Sequence, residues 1–482
     1  MKRALVFLPL TTLFACAHPN APVTATAPTT APAPPARAAG PDPWQLPPRA
    51  AKTTLPAKVA GAVSLDAFKH AKSVAKPPAA CAAFANRVAA TPAPASLDEA
   101  LVETDAPKRD ALLVALEPTT PDARVVRADL APVECADLIA EPLFAKKDHV
   151  EGAAEHALVG LALAGKLART ANGAPVMPAG ADKSRVKAFV QGPLKKWLLE
   201  QASAIESLSV AGRELVGYGR GVAAIEAGTA DLRLVDTIRS SPVPKEWDAE
   251  LKQIYEASLD EALEPRKARG RDAALVGLGE LASAGALNDV RVGRARVLLA
   301  KLYGGRRIDA LDGLFVPPLG SGDAPELASS YWRHAKLVDG SLVASPRAHF
   351  EAGRLYWERA EFIEAAYGYK DAKTPDERLL LANALALTTG PANAAEMMRR
   401  PIEITRTDAL DALATGNTDS AGAAAYDAAH LRSLSTMGTA GATSLKDIAA
   451  RFTQAASLLT DPAQKKKATD RASDATSSSS AK

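Results

Sequence analysis

The stretch that decides the fold is residues 347–373, RAHFEAGRLYWERAEFIEAAYGYKDAK. Small and large apolar residues recur in it at helical spacing, and Pro375 follows closely. The chain around it is rich in alanine, and only 5% of its 482 residues are aromatic. Alanine has the highest helix propensity, whereas β-branched and aromatic residues favour strands. We therefore predict an all-α fold.

The same stretch resembles a tetratricopeptide repeat, in which small residues let two helices cross closely and large residues fill the groove between repeats. Weaker copies lie in 295–314 and 382–395, without a steady spacing of about 34 residues. The resemblance implies helical-hairpin repeats that form an α-solenoid rather than a compact bundle. The matching positions are Ala352, Gly353 and Tyr356 in the first helix, then Phe362, Ala365, Tyr369 and Ala372 in the second.

The amino terminus predicts export. Lys2 and Arg3 precede an apolar run, Ala4–Phe14, which is too short to cross a bilayer and fits a secretory signal. The run ends in Leu13-Phe14-Ala15-Cys16, which resembles the lipobox of bacterial lipoproteins. The resemblance implies that residues 1–15 are a signal peptide, cleaved before a lipidated Cys16. An ordinary signal peptide in which Cys16 falls by chance is the alternative.

A lipid on Cys16 places the protein in the bacterial cell envelope, anchored to a membrane. Ala17 is not acidic, and in the enteric lipoprotein pattern such a residue implies the outer membrane, with the protein facing the periplasm. Residues 16–57 are rich in alanine, proline and threonine and predict a disordered tether. Trp44 and Leu46 interrupt this tether, and we interpret them as a chance apolar pair rather than a docking segment.

The charge balance argues against nucleic-acid binding. Once Lys2 and Arg3 are removed, 56 basic residues face 55 acidic ones, so no strong field remains. Lipidation of Cys16 leaves Cys81 and Cys135 as a pair, which in an oxidising periplasm predicts a disulfide. Two buried free thiols are the alternative.

The body divides into four predicted regions. The boundaries rest on a break after residue 171 and on the loop sequence VPPLGSG at 316–322. Within the second region we predict separate helices over 246–264 and 271–285. The regions are a helical module with the cysteine pair (58–175), a helical domain (180–316), tetratricopeptide-like repeats (328–462) and a disordered tail (463–482) that begins near Lys465-Lys466-Lys467.

No motif predicts catalysis, a metal or a cofactor. His149 and His156 are seven residues apart, whereas zinc ligands on one helix usually sit four apart. Gly217-Tyr218-Gly219-Arg220-Gly221 lacks the spacing of a dinucleotide loop, and helix-packing glycines explain it better. We therefore predict no catalytic residues, no metal, no cofactor and no nucleotide.

Aromatic residues cluster between 331 and 369. Tyr356 and Phe362 fit core positions. Because Trp, Tyr and Arg dominate binding energy at interfaces, the others predict a partner-binding groove, with core filling as the alternative. The predicted groove residues are Trp332, Arg333, Trp357 and Tyr367.

These observations favour a non-enzymatic scaffold for protein–protein interaction, with another envelope protein or a peptide as partner. The alternative is a cell-wall (peptidoglycan) enzyme or its accessory subunit. A third hypothesis is that the protein is purely structural, a tethered spacer that sets a distance within the envelope.

Overall fold

A computed structural model describes residues 42–49, 61–71, 75–177, 180–287, 289–319, 329–416, 419–435 and 442–480. The predicted signal peptide, Cys16 and most of the predicted tether lie outside the described residues. Residues from Pro43 onward form one compact unit. The described secondary structure is almost entirely helical, so the all-α prediction is confirmed.

In the amino-terminal half, the long helix Gly217–Arg239 packs against the helices Ala153–Ala168, Lys195–Ala211, Ala249–Ser283 and Val290–Leu302. Two short strands, β1 (Val63–Ser64) and β2 (His149–Val150), pair in antiparallel fashion. The helices are Asp66–His70 (α1), Ala82–Ala85 (α2), Leu97–Val102 (α3), Ala106–Leu116 (α4), Pro121–Leu130 (α5), Ala136–Phe144 (α6), Ala153–Ala168 (α7), Lys183–Phe189 (α8), Lys195–Ala211 (α9), Gly217–Arg239 (α10), Ala249–Ser283 (α11) and Val290–Leu302 (α12).

The carboxy-terminal half is a succession of helices in which most pack on the next one along the chain. They are Ser330–Val338 (α13), Pro346–Tyr356 (α14), Arg359–Gly368 (α15), Pro375–Leu387 (α16), Ala394–Arg399 (α17), Asp408–Ala414 (α18), Ala421–Ser435 (α19), Ala442–Leu458 (α20) and Pro462–Ser480 (α21).

Glycine permits the closest helix crossings around α10. A Cβ placed on Gly160 of α7 would lie 2.1 Å from the carbonyl oxygen of Gly219, and one on Gly219 would lie 2.1 Å from that of His156. A Cβ on Gly228 would likewise lie 2.3 Å from the backbone nitrogen of Ala274 on α11. The glycines of 217–221 therefore include a helix-packing residue, as predicted.

The prediction of two helices over 246–264 and 271–285 is wrong, because α11 runs unbroken through Pro265. Proline within a helical pattern usually predicts a break, since it lacks an N–H. Here the turn that follows is anchored to α10: Arg266 and Arg269 both bind the buried carboxylate of Asp231, with N–O distances of 2.6 and 2.7 Å.

The prediction of a disordered tail from 463 is also wrong, because α21 packs along α20. Its first turn is capped by Asp461, whose side chain accepts a hydrogen bond from the backbone N–H of Gln464 (2.7 Å). Ala468 and Ala472, one turn apart, are buried. The polar composition predicts disorder, but a stripe of small residues is enough for this helix to pack on α20.

The predicted boundary at 316–328, of which 320–328 lie outside the described residues, does not separate two bodies. Helix α13, which follows the predicted boundary, is bonded to α5, which precedes it. The backbone N–H of Tyr331 (3.2 Å) and the hydroxyl of Ser329 (2.8 Å) both donate to the carboxylate of Asp129. The break near 175–180 likewise falls between α7 and α8 of the same unit.

Cys81 and Cys135 lie within disulfide distance, with their sulfur atoms 2.02 Å apart. The bridge joins the turn before α2 to the turn before α6. None of the described helices combines the length and the apolarity that crossing a membrane requires.

Candidate functional site

The four predicted groove residues do not form a common groove. Trp357 is a core residue: it is 1% exposed, and its indole Nε1–H donates to the carbonyl of Ile308 (2.8 Å). It ends α14 with a φ of 54°, a left-handed conformation that is rare for a bulky residue. The binding role predicted for Trp357 is therefore wrong, whereas the core positions of Tyr356 and Phe362 are confirmed.

Trp332 and Arg333 both hold α13 in place. The indole of Trp332 donates to the carboxylate of Asp98 in α3 (2.7 Å), and Lys336 donates to its second oxygen (2.5 Å). The hydrogen bond from Lys336 lowers the pKa of Asp98. Arg333 is buried and donates to the carbonyl of Gly285 (3.1 Å). The partners of Trp332 and Arg333 are thus residues of this chain, and the structure assigns them to helix packing.

Tyr367 lies at the end of α15, beneath a segment that the sequence assigns to the tether. Its hydroxyl donates to the carbonyl of Pro47 (2.9 Å), and the guanidinium of Arg49 lies 4.3 Å from the centre of its ring. Trp44 and Leu46 are partly buried against the core. Their interpretation as a chance pair is therefore wrong, and the described part of the predicted tether, residues 42–49, includes a segment docked on the body.

A cavity of about 680 Å³ opens between α19, α20, α21 and residues 307–313. Its apolar wall is formed by Leu434, Leu445, Ile448 and Phe452. Tyr426 stacks on Phe315 at 3.8 Å with nearly parallel rings, and it contacts Phe452 at 5.3 Å. The cavity is therefore large enough for a peptide side chain or a small organic ligand, and one side of it is aromatic.

His430 has a fixed protonation state in this cavity. Arg471 donates to its Nδ1 (3.3 Å), so Nδ1 accepts and the proton lies on Nε2, which donates to the carbonyl of Ala310 (2.8 Å). Burial lowers the pKa of His430 to about 4, so the ring is neutral at physiological pH. A Cβ on Gly313 would lie 2.7 Å from this ring, which explains the glycine there. With both nitrogens engaged, His430 is not poised as a general base.

Asp427 lies behind the aromatic wall and is fully buried. It accepts hydrogen bonds from the backbone N–H of Phe315 and from the amide of Asn383, both at 2.7 Å. Burial raises its pKa to about 7. This carboxylate fixes the 307–315 connection against α16 and α19, and it has no exposed surface on which to meet a ligand.

Lys467 and Arg471 supply positive charge at the cavity. The ammonium of Lys467 lies 5.0 Å from the ring centre of Phe315, and the guanidinium of Arg471 lies 5.5 Å from that of Phe452. Within the described part of the chain, neither cation has a carboxylate oxygen within 4.0 Å, although Asp474 lines the same cavity. Arg307, Asp309 and Asp312 also line the cavity, so its charge is mixed, and Lys467 and Arg471 are the groups that suit a ligand carrying a carboxylate beside an apolar group.

A buried acid pair lies elsewhere, at the junction of α5, α10 and α12. The hydroxyl of Tyr218 lies 2.6 Å from a carboxylate oxygen of Asp129 and 2.9 Å from one of Asp289. Arg291 binds Asp289 at 3.0 Å and Asp129 at 3.5 Å. Burial raises the pKa of Asp129. Both carboxylates are at most 4% exposed, so the cluster joins helices rather than facing a substrate.

The cavity residues were not predicted from the sequence because they come from four separate segments, namely residues 307–313 and the helices α19, α20 and α21. Of these segments, only the run Lys465-Lys466-Lys467 stood out in the sequence, because it indicated positive charge near the carboxy terminus. Lys467 and Arg471 are four residues apart, so they share one face only if the tail is helical. The sequence alone predicted no helix there.

The fold and the cavity define a large all-α protein with a concave site lined by both aromatic and charged residues. The chain matches no protein-family model, and neither the curated proteins nor the solved structures include a match to it.

Proposed function

We propose that this protein is a lipoprotein of the bacterial envelope, held to the outer membrane by lipid on Cys16 and facing the periplasm. Its body is a non-enzymatic helical scaffold that binds another envelope protein or a peptide. The observation that carries the proposal is the cavity beside α21, where Lys467 and Arg471 face an aromatic wall without a carboxylate partner in the described part.

We further propose that residues 328–462, which include α13 to α20, are degenerate tetratricopeptide-like repeats. The hairpin of α14 and α15 supports this: a Cβ on Gly353 would lie 2.8 Å from the ring of Phe362, so the small residue sets the helix crossing. Neighbour-by-neighbour packing from α18 through α20 is also typical of helical repeats, in which each unit contacts chiefly the adjacent ones.

Affinity purification from detergent-solubilised envelopes tests the scaffold. Replacing Lys467 and Arg471 by glutamine removes these two positive charges and keeps both side chains polar. The matched control, Lys465→Gln with Lys466→Gln, alters the neighbouring exposed lysines instead. We expect a partner that co-purifies with the wild type and the control and is lost from the cavity variant. Equal recovery with the cavity variant contradicts the cavity as the binding site.

The anchor is tested separately. Cys16→Ser should move the protein from the membrane fraction to the soluble periplasmic fraction, because a single lipidated cysteine provides the acyl chains that hold it. Retention of this variant in membranes contradicts the lipid anchor.

The competing proposal is a peptidoglycan enzyme or its accessory subunit, and the buried acid pair of Asp129 and Asp289 does not support it, because neither carboxylate has exposed surface on which to meet a substrate. Digestion of purified peptidoglycan by the mature protein discriminates between the two. If the mature protein digests peptidoglycan, the enzyme proposal replaces the scaffold.

A further inference from the structure

The segment Pro43–Arg49, PWQLPPR, is docked on the body although its sequence is that of a linker. It contains no helix or strand. It lies against the end of α15, the start of α16 and the turn before α18. We call this surface the proline face and define it by Glu364, Tyr367, Arg378 and Arg406.

The proline face binds the segment through its backbone carbonyls. Arg406 donates to the carbonyl of Pro43 (2.7 Å), and the hydroxyl of Tyr367 donates to that of Pro47 (2.9 Å). Proline has no N–H, so a proline-rich segment offers mainly acceptors. In both of these contacts the donor lies on the face and the acceptor is a backbone carbonyl of the segment, which matches what a proline-rich segment presents.

Side chains at both ends of the segment add specific contacts. The guanidinium of Arg378 lies 5.4 Å from the ring centre of Trp44. At the other end, Arg49 lies over the ring of Tyr367 and forms an ion pair with Glu364 at 3.0 Å. Cation–π contacts of this kind contribute about 0.5–1 kcal/mol each at exposed sites. The face therefore selects a tryptophan and an arginine as well as proline.

The chemistry is that of proline-rich peptide recognition, in which aromatic side chains and hydrogen-bond donors bind a stiff, extended segment. Pro47 and Pro48 restrict the residues that precede them, so little conformational entropy is lost on docking. The segment is joined to the body by a short connection, 50–60, which holds it at an effective concentration on the order of millimolar. A segment on another protein must therefore compete with it.

We propose that the proline face is a receptor for extended proline-rich segments of a partner protein, and that Pro43–Arg49 occupies it in cis. The partner segment carries an aromatic residue and an arginine that flank prolines, and it binds when the cis segment is released. This goes beyond the scaffold proposal, because it concerns a different surface from the cavity beside α21 and needs no lipid anchor.

The test uses a fluorescent peptide with the sequence of residues 41–50, PDPWQLPPRA, and the full-length mature chain. Trp44→Ala with Arg49→Ala weakens the cis segment and leaves the face intact. Fluorescence anisotropy should then show the peptide binding this variant about tenfold or more tightly than the wild type, because the intramolecular competitor is weakened. Adding Tyr367→Phe and Arg406→Gln should reverse the gain, whereas adding Lys370→Gln, at an exposed position beside the face, should not.

Circular dichroism and thermal unfolding establish that each variant is folded. The proposal is overturned if the released chain binds the peptide no better than the wild type does. It is also overturned if no binding appears up to about 1 mM, the order of the effective concentration of the cis segment, or if the Tyr367 and Arg406 replacements leave binding unchanged. None of these outcomes bears on the Lys467 and Arg471 experiment, so the two proposals fail independently.

Discussion

The guanidinium of Arg49 lies 4.3 Å from the ring centre of Tyr367, although 318 positions separate the two residues in the chain. Together with the hydroxyl bond from Tyr367 to Pro47, this contact fixes the segment that precedes the body.

Tyr367→Ala should therefore release the segment. The loss of one hydrogen bond and one cation–π contact amounts to about 1–2 kcal/mol, or roughly tenfold in the docking equilibrium. Limited trypsin digestion should cleave after Arg49 several times faster in this variant than in the wild type. Lys370→Ala, an exposed change beside Tyr367, should leave the cleavage rate unaltered. Equal rates in all three chains would show that the segment is not held by Tyr367.

The buried carboxyl of Asp427 should make stability depend on pH. Burial raises its pKa to about 7 from an ordinary value of 3.8, so the folded chain holds a proton that the unfolded chain releases. The free energy of unfolding contributed by Asp427 should therefore fall by up to about 1.4 kcal/mol per pH unit between about pH 4 and about pH 7.

Asp427→Asn removes this titration and keeps both hydrogen bonds if the amide of Asn383 turns over. Urea unfolding across the same pH range should show a flatter profile for the variant, and its advantage over the wild type should grow up to about pH 7 and then level off. Parallel profiles for the two chains would be incompatible with a protonated, buried Asp427.

The tail helix α21 should contribute measurably to stability. Ala468 is fully buried against the rest of the chain, so Ala468→Asp places a charge where no water reaches it. We expect a loss of more than about 3 kcal/mol in the free energy of unfolding. Ser473→Asp introduces the same charge at an exposed position of α21 and should cost under about 0.5 kcal/mol. If the two variants melt alike, the tail does not pack as described.

The bridge between Cys81 and Cys135 closes a loop with a sequence separation of 54 residues. In the chain-entropy account, a loop of this size stabilises the fold by about 4 kcal/mol. In guanidinium unfolding, the double variant Cys81→Ala, Cys135→Ala should therefore lose about that much free energy of unfolding. Reduction of the wild type should have a similar effect. Detection of both free thiols by mass spectrometry of the non-reduced protein would refute the bridge.

The sequence predicted those features that depend on local pattern. Helical spacing in 347–373 predicted the hairpin that became α14 and α15, and the burial of Tyr356 and Phe362 followed from it. The helix break predicted at Pro265 was wrong, because the sequence does not show that Asp231 binds the turn that follows. The prediction of a disordered tail failed for a similar reason. Ala468 and Ala472 form an apolar stripe that is buried only because α20 lies beside it.

The partner-binding prediction failed at Trp357 for a different reason. Tryptophan and arginine occur both at interfaces and in cores, and residue type alone does not distinguish them. The backbone of Trp357 turns into the left-handed region and sends its indole toward Ile308, inside the fold. The cavity beside α21 forms only when α19, α20 and α21 pack together. Their packing depends on tertiary contacts that the sequence pattern does not show.

The measurement that tests the scaffold most directly is site-specific photo-cross-linking in intact cells. A photoreactive residue at Ser478, an exposed residue that lines the cavity, is compared with one at Val102, an exposed residue far from it in sequence that does not line it. We predict that one envelope protein or peptide is captured from Ser478 but not from Val102, and that Lys467→Gln with Arg471→Gln abolishes its capture. Capture of the same species from both positions, or capture from Ser478 that survives the loss of both charges, would contradict the account.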